Sequence, residues 1–193
     1  MQNARLSALI VAMLMIPIAA VAQESAPAKE KKTFTLAGNM LEGYQNLQET
    51  LAAAADKMPE DQYGFRPTPE IKPFGQLVAH VALAQFRMCA WLKGEANPHK
   101  DDKEETTRTK ADEVALLKAS TAYCDPAIAA LKDPVMTDLV DTGDFKAAKG
   151  LFPAALATHG SEMYGTMAVY LRLKGIVPPS TEKEMKMKAK KSD

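Results

Sequence analysis

The sequence has no imbalance of charge: 24 lysines and arginines meet 24 aspartates and glutamates over 193 residues. A nucleic-acid-binding chain carries its cations in a cluster or stripe, and none occurs here outside the C-terminal tail, which excludes nucleic acid as a partner. Phosphate-cradling loops are missing too, since Thr142-Gly143-Asp144 and the other isolated glycines do not form one. No nucleophile, base and acid stand at a spacing that argues for a catalytic trio. No internal repeat is found, and no long segment alternates apolar and polar residues as a half-buried strand does. Histidine and cysteine are scarce, at three and two residues, so each one present bears on function.

The longest apolar run, Leu6 to Ile18, is broken by Pro17 and falls short of the roughly 20 residues that a membrane-spanning helix needs. Arg5 precedes it and Ala20-Val21-Ala22 follows, the order of a secretory signal and its cleavage site. The sequence therefore predicts a signal peptide over 1–22 and a disordered linker over 23–32. A single bundle domain over 33–180 and a basic disordered tail over 181–193 follow. The mature chain is expected in the periplasm or secreted, with no integral membrane anchor after cleavage. About 170 residues then remain, enough for one well-buried core. The lysine-rich run Lys183 to Lys191 could touch anionic surfaces, but such a run is more often a solvated end.

An oxidising compartment favours pairing of Cys89 and Cys124 if the fold brings them together. Two readings stand: a disulfide, or two buried thiols acting as small hydrophobes. A reactive thiol is disfavoured, because neither cysteine has a cationic neighbour in sequence to lower its pKa.

Four long segments carry an apolar period near 3.6, which predicts an all-α protein. The first aligns Leu36, Met40, Tyr44, Leu47, Leu51, Ala54 and Met58 and stops near Pro59. A proline-rich loop with Tyr63 and Phe65 as apolar anchors follows. The second segment starts near Pro73, aligns Leu77, His80, Val81, Ala84, Met88 and Trp91, and ends at Gly94. Glu95 to Arg108 reads as an exposed crossover, with His99 solvated. The third helix starts near Thr109 or Lys110 and aligns Val114, Leu117, Thr121, Cys124, Ile128 and Leu131, with a bend expected at Pro126. A helical turn or two is expected within 134–149. Gly150 opens the last helix, whose stripe is Phe152, Leu156, His159, Met163, Met167 and Tyr170, and Gly175 ends it.

His80 and His159 are each the lone titratable group on an apolar stripe. One such residue is most often a satisfied core histidine. Two of them on different helices weaken that reading, because facing helices of a bundle are where metal sites are built.

Phe65-Arg66-Pro67-Thr68-Pro69-Glu70, Phe74-Gly75-Gln76-Leu77-Val78-Ala79-His80-Val81-Ala82 and His159-Gly160-Ser161-Glu162-Met163-Tyr164-Gly165 together resemble the DinB-like family. The resemblance implies a four-helix bundle with a long crossover between its second and third helices. It also implies a divalent metal, zinc or nickel, held by three histidines. His80 matches the ligand on the second helix and His159 the first of a pair on the fourth, while Met163 stands where the pair's second histidine belongs. A thioether is a soft, weak ligand that suits copper(I) better than zinc.

Three readings follow: metal lost with Met163 as packing, weak metal completed by Glu162 or water, or copper(I). The first is favoured, since methionine on an apolar stripe is usually core filler. The resemblance further implies metal-dependent thiol transfer or hydrolysis as an alternative to a binding module. A homodimer is one implied assembly, and no small-molecule ligand is named.

Overall fold

Thr35 opens the first helix: its hydroxyl accepts from Gly38 N–H at 3.1 Å, as an N-cap should. The Asp133 carboxylate reaches across to accept from Leu36 and Ala37 N–H at 3.3 and 2.7 Å. These bonds satisfy the orphan donors of α1, Leu36–Lys57. At its other end Lys110 donates to the carbonyls of Asp56 and Met58. The computed structural model describes residues 33–192; the expected signal peptide and linker lie outside them.

The loop after α1 makes a 3₁₀ turn, Glu60–Gln62, and plants its aromatic anchors. Tyr63 OH donates to Ala55 O at 2.6 Å, and Phe65 meets Tyr170 edge-on. Helix α2, Phe74–Lys93, follows Pro73 and ends at Gly94, whose φ of 66° lets its N–H and that of Glu95 turn back to Ala90 O. Helix α3, Lys110–Ala129, starts on a capping box between Thr109 and Asp112 and runs through Pro126. After a 3₁₀ turn, Asp133–Val135, the chain forms an antiparallel hairpin of β1, Leu139–Asp141, and β2, Lys146–Ala148. Helix α4, Leu151–Leu173, and helix α5, Pro179–Ser192, complete the described chain.

Helix α1 packs on α4 and α3, and α2 packs on α3 and α4. The four helices thus stand in the cyclic order α1, α4, α2, α3, which puts the α2–α4 and α1–α3 seams on opposite sides. Gly160 brings α4 close to α1, since a Cβ there would lie 2.7 Å from Leu47 Cδ2. The protein is all-α in class, as a helical bundle.

Its core has two clusters. Leu51, Met58, Phe74, Val78, Met167 and Tyr170 fill one end; Tyr44, Ile128, Met136, Phe152 and Leu156 fill the other. Cys89 and Cys124, in the second cluster, form a disulfide between α2 and α3 with Cα atoms 5.4 Å apart. Between the clusters lies a buried polar layer of Gln48, Gln85 and Ser120.

Four expectations are corrected. The α1 stripe starts on Ala37 rather than Leu36, which is 55% exposed, because the cap turns Leu36 outward. The 134–149 segment holds a hairpin, not helical turns alone; its Gly143 at φ 89° makes the turn, and strands of three residues are too short to register as alternation. The segment read as a disordered tail from 181 is helical. Lysine, glutamate, methionine and alanine are all good helix formers, and Lys57–Glu182 at 2.6 Å and Lys183–Asn46 at 3.1 Å dock it on α1. Finally, the crossover is not wholly exposed: Glu104 and Arg108 fold inward, their side chains 18% and 13% exposed.

Candidate functional site

His80 sits mid-way along α2 and His159 mid-way along α4, and the α2–α4 packing carries the two rings together. Their Nε2 atoms lie 3.0 Å apart. The rings are 5.0 Å between centroids and tilted by 51°. Behind His80, its Nδ1 lies 2.6 Å from Glu104 Oε2, and Lys72 pairs with the other oxygen of that carboxylate. A polar chain therefore runs Lys72, Glu104, His80, His159, with the loop before α2, the crossover, α2 and α4 each contributing one residue. A carboxylate has only acceptors, so His80 Nδ1 carries a proton, and a single further proton lies between the two Nε2 atoms.

Electrostatics favour an ionised Glu104 beside an uncharged His159. Burial works against the Glu104 charge, but the hydrogen bonds and charges of Lys72 and His80 outweigh it and hold this carboxyl below the usual range. Burial, then His80 and Arg87, push His159 below its ordinary value of 6.5, with Glu162 opposing. An uncharged imidazole is the form that binds metal.

The site is walled by the crossover. Leu83, Ala84 and Arg87 on α2 face Asp102 and Glu105 across a cleft of about 370 Å³ that includes His80 and Glu104. His99 lies beyond it, stacked on Phe86 at 4.0 Å between centroids and paired with Asp102 at 2.8 Å. It is half-buried rather than solvated, because the crossover folds back along α2.

Met163 is half-buried and packs against the first core cluster, four residues after His159 and so on the same side of α4. Glu162 is exposed and acts on His159 through its charge. Tyr164 OH donates to Ser180 Oγ at 2.7 Å, which ties α4 to the start of α5.

Two imidazole nitrogens that share one metal ion, each at roughly 2.0–2.1 Å, stand about 3.0–3.4 Å apart, and the Nε2 pair has that spacing. A carboxylate on the far nitrogen is the usual way a ligating histidine is oriented, and Glu104 holds that place. Among the described residues no group of three or more His, Cys, Asp or Glu could hold a metal ion. The donor set therefore fits a metal through two nitrogens only.

Sequence reasoning missed Glu104 and Lys72. The type of residue was inferable, since a ligating histidine needs a partner for its second nitrogen. The position was not, because the crossover offers Asp101, Asp102, Glu104 and Glu105 alike.

The family model described as the DinB superfamily matches residues 44–159. The chain belongs to the DinB superfamily. The match contains His80 and ends on His159. A DinB-like protein from Bacillus cereus has a similar structure, with a TM-score of 0.62 at 15% identity, covering 72% of this chain and 93% of that one. A DinB-like protein from Bacillus subtilis gives 0.57 at 20% identity, covering 71% and 92%. A conserved protein from Enterococcus faecalis gives 0.56 at 14%, covering 73% and 98%. At these identities the likeness establishes the fold. No protein of curated function matches significantly.

Proposed function

We propose that this DinB-superfamily bundle is an exported metal-binding module. In this reading His80 and His159 hold one divalent transition-metal ion weakly and leave its other positions to water or a small ligand. The observation that carries it is the 3.0 Å Nε2 pair with Glu104 behind His80. Imidazole suits zinc, nickel and copper, whereas two protein ligands are fewer than the three or four of ordinary zinc sites. Export is supported by the order Arg5, apolar run, Ala20-Val21-Ala22 and by the Cys89–Cys124 disulfide, which suits an oxidising compartment.

The cleft beside His80 favours a second reading, a metal-dependent hydrolase or thiol transferase of the family type. It would use open metal positions facing that cleft.

Histidine ring nitrogens of the purified chain, followed by NMR as zinc is added, test the first reading. Both Nε2 resonances of His80 and His159 should move together, while His99 stays still. Movement of His99 alone, or of none, would remove the site.

A further inference from the structure

The part of the crossover that carries Glu104 is tied down by one guanidinium. Residues 103–106 form a turn in which Thr106 N–H donates to Lys103 O at 3.2 Å, and Glu104 is the first residue inside it. Arg108 Nη2 donates to the same Lys103 carbonyl at 3.0 Å. Its other amino group, Nη1, lies 3.7 Å from Glu113 Oε1 on α3. Arg108 is itself well placed, because the next residue, Thr109, is the N-cap of α3 and part of its capping box. One planar fork thus joins the first turn of α3 to the backbone directly before Glu104.

Glu113 is only 3% exposed, and a carboxylate so far from water needs a cation beside it. Arg108 serves it and the crossover at once. A lysine there would present a single ammonium, which cannot reproduce a fork whose two partners sit on different amino groups. Lys72 secures the Glu104 carboxylate from the loop before α2, while Arg108 secures the backbone that carries it. The carboxylate then meets His80 Nδ1 at 2.6 Å, a contact that a displaced turn does not keep.

We infer that Arg108 is a positioning residue of the histidine site: held by Glu113, it fixes the 103–106 turn so that Glu104 meets His80 Nδ1 and His80 Nε2 faces His159. Its effect on metal rests on the reading of His80 and His159 as ligands; its effect on the His80 ring does not. The Lys103 side chain has no part in it, since only the carbonyl of that residue is used.

Long-range ¹H–¹⁵N NMR of the histidine rings in the metal-free chain tests the role. Wild type should show His80 protonated at Nδ1, with that proton protected from exchange by Glu104. In Arg108→Lys the proton should lose its protection and the ring should pass to a mixture of tautomers, as in Glu104→Gln. Combining the two substitutions should add nothing further. Lys103→Ala should leave the ring as in wild type. Should Arg108→Lys fold poorly, Arg108→Gln with Glu113→Gln removes both charges together, leaves neither buried alone, and should change His80 in the same way. Zinc affinity should fall roughly 10-fold in Arg108→Lys, the lower end of the usual loss when the support behind a ligating histidine is removed. An altered His80 ring in a chain that takes up no zinc would support the positioning role and count against the metal reading alone. A His80 ring unchanged in the Arg108 variants, or changed only together with shifts along the whole of α3, would overturn it.

Discussion

Glu104 Oε2 lies 2.6 Å from His80 Nδ1, so a residue of the crossover fixes the ring that faces His159. Replacing it should therefore alter the site without touching either helix. Glu104→Gln is expected to weaken metal binding by roughly 10–100-fold, the usual cost of losing such a partner. The exposed neighbour Glu105→Gln should leave affinity unchanged. Parallel zinc titrations of the two variants check this.

His159 and Glu104 each make the fold less stable in acid. His159 has a depressed pKa, so the unfolded chain takes its proton first and stability falls as pH drops below about 6.5. Glu104 is also depressed; its contribution is present above about 4.5 and is lost below it. Glu113 runs the other way. Burial, opposed by Arg108, raises it to about 7, so it favours the fold at low pH and loses that contribution between about 4.5 and 7. Thermal melts across pH 4–8 should show a steeper acid loss in Glu113→Gln than in wild type, and a shallower one in His159→Ala.

The Cys89–Cys124 bridge closes a separation of 35 residues, for which chain entropy gives roughly 4 kcal/mol of stabilisation. Both sulfurs lie in the second core cluster, with Cys124 Sγ 3.4 Å from Gln85 O. Cys89→Ala with Cys124→Ala is expected to lower unfolding free energy by roughly 2–5 kcal/mol in urea melts, while the helical far-UV signal persists.

The fold was largely legible because its signals are local. Pro59, Gly94 and Thr109 mark helix ends through backbone chemistry that acts within a turn. What depends on long-range contact was not. Leu36 and Ala37 exchange places because Asp133, distant in sequence, caps the helix. The α5 helix forms from ordinary helix formers that composition alone reads as a charged tail.

The site divides in the same way. His80 and His159 stand out on their stripes, whereas Glu104 looks like any acid in a charged loop. Gln48, Gln85 and Ser120 flank apolar stripes as unremarkable polar residues. Only the packing of three helices shows that they share one layer. For Cys89 and Cys124 the sequence leaves two readings, since spacing along the chain says nothing of the distance between helices.

The central claim is that His80 and His159 hold one metal ion weakly because Met163 supplies no third nitrogen. Calorimetric titration of zinc into wild type, His159→Ala and Met163→His tests it most directly. The account predicts one weak equivalent in wild type, none in His159→Ala, and binding at least tenfold tighter in Met163→His, where the new imidazole lies one turn from His159. Wild-type binding that survives His159→Ala, or no binding in wild type and Met163→His alike, would contradict it.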